Sequence, residues 1–155
     1  MSANEKLKVA ELAPEAANED RYVLGAQIGF LMRVAMQRHT SIFMSQMVEG
    51  LTQTQFAALA KLYEVGPSSQ NHLGRHIYLD AATIKGVVDR LSARGFVTAL
   101  NDPNDRRRRA VALTKRGRQV IEDAMKIAAK ITADTLAPLT ADEKRRIIAL
   151  LEKLG

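Results

Sequence analysis

The chain has 155 residues, 46% of them hydrophobic and 26% charged, enough to bury one real core. Its formal net charge of +6 favours a polyanionic partner, either nucleic acid or an anionic membrane surface. The absence of cysteine excludes disulfides, thiolate catalysis, zinc ribbons and thiol-based redox sensing, and no apolar run approaches the roughly 18 residues of a membrane span.

Met1 to about Glu19 is polar and aperiodic, with Pro14 inside it, and reads as a flexible arm. It has no apolar stretch of the kind a secretory signal needs, so a cytoplasmic location is the expectation. From Asp20 to about Val48 apolar residues recur at steps of three and four: Val23, Leu24, Ile28, Leu31, Met32, Ala35, Met36. Phe30, Phe43, Met44 and Met47 widen this face beyond the single stripe a surface helix needs, which points to more than one neighbour. A second helix opens after Leu51 with Thr52 or Thr54 as its cap, carries Phe56, Leu59, Ala60 and Tyr63, and stops at Gly66-Pro67. Ser69 caps a short third helix with Leu73 and Ile77. Asp80 caps a fourth with Ile84, Val87, Val88 and Leu91, ended by Gly95.

Phe96 to Leu100 and Ala110 to Leu113 are short β-tolerant runs around the polar stretch Asn101 to Arg109, a hairpin with a long tip. Thr114 caps a fifth helix lined by Val120, Ala124, Ile127 and Ile131, widened by Ile121 and Ala128. After Pro138, Thr140 and Glu143 form a capping box for a sixth helix with Ile147, Leu150, Leu151 and Leu154. The class is mainly α with one small β-hairpin.

Burying Ile84, Val87, Val88 and Leu91 turns Ala82, Thr83, Lys85, Gly86, Asp89, Arg90 and Ala93 outward, at about 100° per residue. Alone, this block fits an ordinary helical hairpin as well as a helix that enters a major groove only ~12 Å wide. The hairpin favours the second reading. Arg106 to Arg109 are four successive arginines, Lys115, Arg116 and Arg118 follow, and no acid intervenes. Such a run suits a phosphate backbone, and a narrow minor groove attracts an inserted arginine. Asp105 fits as an acceptor that orients a neighbouring arginine.

Leu51-Thr52-x-x-Gln55-Phe56-x-x-Leu59, then Val87-Val88-Asp89-Arg90-Leu91 with Arg94-Gly95, then Asp102-Pro103-x-Asp105-Arg106-Arg107, then Leu113-Thr114-x-x-Gly117 resemble, in order and spacing, the MarR family of bacterial regulators. The resemblance spans about residues 20–154. It implies a winged helix-turn-helix core at 51–114 and a helical dimerisation lobe from 20–50 and 115–155, behind an arm at 1–19. It further implies a homodimer on a pseudo-palindrome of double-stranded DNA, with one helix per subunit in a major groove. By residue it assigns Ser69, Gln70, Ala82, Thr83, Lys85, Gly86 and Arg90 to DNA, Arg107 to the minor groove and Asp105 to holding it. Arg106 and Arg108 are also expected at the DNA, and Arg108 and Arg109 add backbone electrostatics. Gly74 departs from the family's usual Ala, which suggests a close helix crossing.

Family members commonly release DNA on binding a small anionic or phenolic compound. Arg33, Met36, His39, Phe43, Met44, Met47 and Tyr63 are the residues expected to meet it, although Met and Phe at helical spacing also suit a core. A cation at the edge of a methionine-rich wall suits an aromatic carboxylic acid. His72 and His76 have the spacing of a metal pair, but no third ligand is evident nearby, and neither metal nor cofactor is expected. No nucleophile–base motif or phosphate loop points to an enzyme. The expectation is a sequence-specific regulator, most simply a repressor, released by its effector. The alternative is a ligand-independent architectural DNA-binding protein.

Overall fold

In the computed structural model of the protein, the backbone is described for residues 21–102 and 105–155, and side chains for these except 102–108. Among the described residues six α-helices and three strands follow one another: α1 (Ile28–Gln46), α2 (Gln53–Val65), β1 (Ser68–Ser69), α3 (Gln70–His76), α4 (Ala81–Ala93), β2 (Val97–Asp102), β3 (Asp105–Leu113), α5 (Lys115–Thr135) and α6 (Ala141–Glu152). Every helix from α2 onward starts on a side chain that accepts from a backbone N–H left over at the helix start. The caps are Thr52, Ser69, Asp80, Thr114 and Thr140, and those at Thr52 and Thr140 are complete capping boxes with Gln55 and Glu143.

Within Ala35–Gly155 the core is mostly aliphatic, with Phe43 and Phe96 as its buried aromatic rings. Phe43 of α1 and Met47 just after it, Leu59 and Leu62 of α2, Leu73 of α3, all four apolar residues of the α4 stripe, and Val120, Ile121, Ala124 and Ile131 of α5 are buried together. The buried stripe of α2 differs from the expected one. It is Gln55, Ala58, Leu59 and Leu62, with Phe56, Ala60 and Tyr63 half-buried at its margin. A polar Gln55 hides that stripe from a hydrophobicity count. It is tolerated inside because its Oε1 accepts from Thr52 N at 3.1 Å.

Two glycines permit close approaches. A Cβ at Gly74 would lie 3.1 Å from both Ile84 Cγ2 and the Leu79 carbonyl oxygen, so α3 crosses α4 tightly there, as the departure from Ala suggests. A Cβ at Gly117 would overlap the Phe96 carbonyl oxygen outright, so α5 starts directly against the entry to β2. Gly95 ends α4 in the left-handed region at φ +72°, and Phe96 N donates to Leu91 O at 3.0 Å to close the turn.

The strands form one antiparallel sheet in the order β1-β3-β2, with Val97 opposite Leu113, Asn101 opposite Arg109 and Ser68 opposite Val111. The sheet corrects the expected hairpin in two ways. Strand β2 extends past Leu100 to Asp102 and β3 begins at Asp105, so the backbone of Arg106 to Arg109 belongs to a strand, with an irregularity between the pairs Asp102–Asp105 and Asn101–Arg109. The sheet also gains a third, two-residue strand, Ser68–Ser69, beside β3.

Within residues 21–34 the expected unbroken helix from Asp20 is replaced by a 3₁₀ turn at Leu24–Ala26, an extended Gln27 (ψ 132°) and only then α1. Gly25 and Gly29 flank the break, and glycine weakens a helix by about 1 kcal/mol relative to Ala. The apolar residues Ile28, Leu31 and Met32 are exposed. So is the entire α6 stripe. No helix among the described residues is long and apolar enough to cross a membrane.

Candidate nucleic-acid interface

Helices α3 and α4 meet through Ile77, Tyr78 and Leu79, with Leu79 N donating to Gly74 O at 2.9 Å. Tyr78 takes a left-handed φ of +56° while its side chain is 89% exposed, so no packing compensates the strained backbone. Because α4 buries its whole apolar stripe, Ala82, Thr83, Lys85, Asp89, Arg90 and Ala93 are exposed on the other side and Gly86 is half-buried among them. The face is narrow and small-residued at its N-terminal half, the shape that lets a helix backbone approach base edges.

The polar groups of this face are engaged locally. Asp80 Oδ1 accepts from Thr83 N and its Oδ2 accepts from the Thr83 hydroxyl, both at 2.8 Å. The Thr83 backbone N–H, and after it the Thr83 hydroxyl, hold the Asp80 carboxyl below the usual carboxylate range. Lys85 Nζ sits 2.5 Å from Asp89 Oδ2. The Arg90 guanidinium folds back over Gly86, where a Cβ would meet its Nη1 at 3.3 Å. An exposed ion pair of this kind is worth only ~0–1 kcal/mol, so Lys85 is cheaply redirected to a phosphate. Ser69 is exposed and spends its hydroxyl oxygen on His72 N at 3.2 Å, and Gln70 is half-buried beside it. The His72 and His76 rings lie 4.2 Å apart, with Ser68 Oγ 3.2 Å from His72 Nδ1. Among the described residues no third metal-ligating group joins them.

The side chains of Asp105, Arg106, Arg107 and Arg108 lie outside the described residues. Arg109 is exposed, and its backbone pairs with Asn101. The base of this wing is held more firmly than the sequence suggests. The Thr114 hydroxyl donates to Gly95 O at 2.6 Å while its oxygen accepts from Gly117 N at 2.9 Å. The buried Phe96 ring carries two guanidinium groups, Arg94 at 4.6 Å and Arg116 at 5.1 Å from its centroid. Arg94 also donates to the Glu49 carbonyl, and the Glu49 carboxylate lies 3.4 Å from Arg94 and 4.0 Å from Arg116. Glu49 itself is left-handed, at φ 55°. The Arg118 guanidinium lies over Tyr63, 5.1 Å from the ring centroid. The downstream half of the cationic run is therefore not unattended, as its sequence implies: Arg116 and Arg118 have partners that lie far away in the chain.

The residues expected around an effector differ in exposure. Phe43 and Met47 face the core, Phe43 edge-on to Phe56 at 6.0 Å, whereas Met36 and Met44 are exposed. His39 is half-buried, with Nδ1 2.9 Å from Thr135 Oγ1, next to Arg38, whose guanidinium caps the last carbonyls of α5 at Asp134 and Thr135. Tyr63 donates to Glu122 Oε1 at 3.2 Å. Arg33 lies over the Phe30 ring, 5.1 Å from its centroid.

A capped helix-turn-helix whose second helix buries one face and shows a small polar other, followed by a two-stranded wing, defines a winged-helix DNA-binding protein. The family model for MarR matches residues 51–108. The chain is 40% identical over 134 residues to the HTH-type transcriptional repressor NicR of Pseudomonas putida, spanning 86% of this chain and 85% of that one. Among solved structures it is similar to a probable transcriptional regulator from Pseudomonas aeruginosa, with a TM-score of 0.83 and 45% identity over 86% of this chain and 100% of that one. It is also similar to BpsR of Bordetella bronchiseptica, whose DNA binding is regulated by 6-hydroxynicotinic acid, with a TM-score of 0.81 and 36% identity over 86% and 96% of the two chains. The chain belongs to the MarR family and is a transcriptional regulator of that type, not a member of an enzyme family.

Proposed function

We propose that the protein is a cytoplasmic repressor that binds a pseudo-palindromic operator as a homodimer and leaves it when a small aromatic acid binds. The observation that carries this reading is the two-sided character of α4: Ile84, Val87, Val88 and Leu91 buried, Ala82, Thr83, Lys85 and Arg90 exposed. Such a helix is anchored rigidly and has an outer surface slim enough for a major groove. Arg107 enters the minor groove, Asp105 orients it, and Arg106 and Arg108 meet phosphates. Ser69 and Gln70 at the start of α3 approach the backbone. The exposed stripe of α6 supports the second copy, because an apolar face of that kind is covered in an assembly.

The effector class follows from BpsR and from the cationic groups of α1. Arg33 and His39 are each assigned as a partner for the carboxylate, with Met36, Met44 and Tyr63 as adaptable neighbours and Phe43 and Met47 supporting them from the core. Fluorescence anisotropy with the duplex upstream of the protein's own gene, against a random duplex at physiological salt, tests the regulator reading. A clear preference for the upstream duplex is expected. Equal affinities would instead describe an architectural protein. Adding 6-hydroxynicotinic acid or a related aromatic acid is expected to weaken the specific complex, and no response across such a panel would remove the effector.

A further inference from the structure

On the outer face of α4 one polar group has its polarity fixed. An ionised carboxylate carries no proton, so it can only accept hydrogen bonds. Asp80 accepts two, from the backbone N–H and from the hydroxyl of Thr83, each at 2.8 Å. Its carboxyl is held below the usual carboxylate range, so it is ionised at neutral pH. The Thr83 hydroxyl has a single proton and commits it to Asp80. What Thr83 offers outward is therefore an oxygen lone pair and a methyl group. The hydroxyl is not free to rotate into a donor, because a hydrogen bond to a carboxylate is among the strong ones. Lys85 and Arg90 are long and mobile by comparison, and they are engaged with Asp89 and above Gly86.

The major groove distinguishes these polarities. Adenine N6 and cytosine N4 present amino donors, whereas guanine N7 and O6 and thymine O4 present acceptors. A hydroxyl with its proton committed meets an amino group productively and meets an acceptor lone pair to lone pair. We propose that Thr83 is a specificity-determining residue that selects adenine or cytosine at one position in each half-site, with Asp80 as its positioning residue. The inference rests on α4 being the helix in the major groove.

The test is selection of bound duplexes from a random pool by the full-length protein, followed by sequencing, for the wild type, Thr83→Val and Asp80→Asn. In the wild type one column per half-site is expected to favour adenine or cytosine over guanine and thymine roughly ten-fold, the usual scale of one mismatched base pair. Thr83→Val keeps the side chain's volume but loses the lone pair, and it should flatten that column alone. Asp80→Asn keeps a capping oxygen. Its amide then donates to Thr83 Oγ1 and releases the hydroxyl proton, so the same column should invert to guanine or thymine. A Thr83→Val profile that superposes on the wild type, or an Asp80→Asn column that does not invert, overturns the assignment. If Asp80→Asn fails to fold, the Thr83→Val column decides. A wild-type profile with no enriched column overturns the operator reading together with this inference, whereas unchanged columns in the variants of a selective wild type overturn this inference alone.

Discussion

Helix α4, the proposed recognition helix, and helix α6 are built by the same rules and meet opposite ends. Both are capped, by Asp80 and by the Thr140–Glu143 box, and both carry apolar residues at steps of three and four. In α4 all four are buried. In α6 Leu150 is 58% exposed and Leu151 50%, Leu154 just past its end is 69% exposed, and no residue of the helix is buried. Capping and periodicity make a helix and say which face must be covered. They do not say which chain covers it. For α4 the cover is the chain's own α2, α3 and sheet. For α6 it is the proposed second copy.

The sharpest way to break the self-covered region is at Gly117. Any side chain there overlaps the Phe96 carbonyl, which is backbone and has no rotamer to move. Gly117→Ala should separate α5 from the sheet and cost about 3 kcal/mol or more, at the upper end for overpacking, read as the midpoint of urea unfolding. A loss below 1 kcal/mol would mean that α5 and β2 shift apart freely. The second break is at α6. Leu151→Glu should leave the winged-helix core folded by circular dichroism while shifting sedimentation from dimer to monomer. Truncating or charging a central contact commonly costs ~2 kcal/mol or more of association. An unchanged dimer would place the interface elsewhere.

The contrast also explains what was legible in the sequence. Caps are read from one residue and its neighbour three positions on, so Ser69, Asp80, Thr114 and Thr140 could be named without a structure. The α4 stripe was legible because all its members are aliphatic. The α2 stripe was displaced by one position because Gln55 is buried through a hydrogen bond, and polarity conceals such a residue. Strand β1 was invisible because Ser68 and Ser69 have no β preference and become a strand only where β3 passes. The arginines of β3 look like loop in the sequence for the same reason: the pairs Asn101–Arg109 and Asp102–Asp105 extend the strand, not the intrinsic preference of its residues. The outer face of α4 was legible, because burial on one side of a helix fixes exposure on the other. The clasp of Glu49 on Arg94 and Arg116 was not, since its partners are 45 or more residues apart.

Caps should matter by about the same amount wherever the helix is packed. Thr52→Ala removes the acceptor for Gln55 N and half of a capping box, and about 1 kcal/mol of stability should go with it. A thermal midpoint unchanged by this substitution would mean that burial alone starts α2.

The smallest expected effect separates the two left-handed residues, Tyr78 and Glu49. Each sits at a backbone conformation that costs an L-residue ~1–2 kcal/mol, and glycine relieves it while raising the entropy of the unfolded chain by ~0.5–1 kcal/mol. Tyr78 is 89% exposed and has no packing to lose, so Tyr78→Gly should raise stability by about 0.5 kcal/mol. Glu49→Gly gains the same relief but loses the carboxylate beside Arg94 and Arg116. Exposed pairs of that sort contribute ~0–1 kcal/mol, so the net change should be close to zero. Side-by-side unfolding curves decide the matter. If both variants are stabilised equally, the Glu49 carboxylate contributes nothing to holding the wing base. If only Tyr78→Gly is, the strain at Glu49 is retained for the clasp it positions, where the end of α1 meets the start of α5.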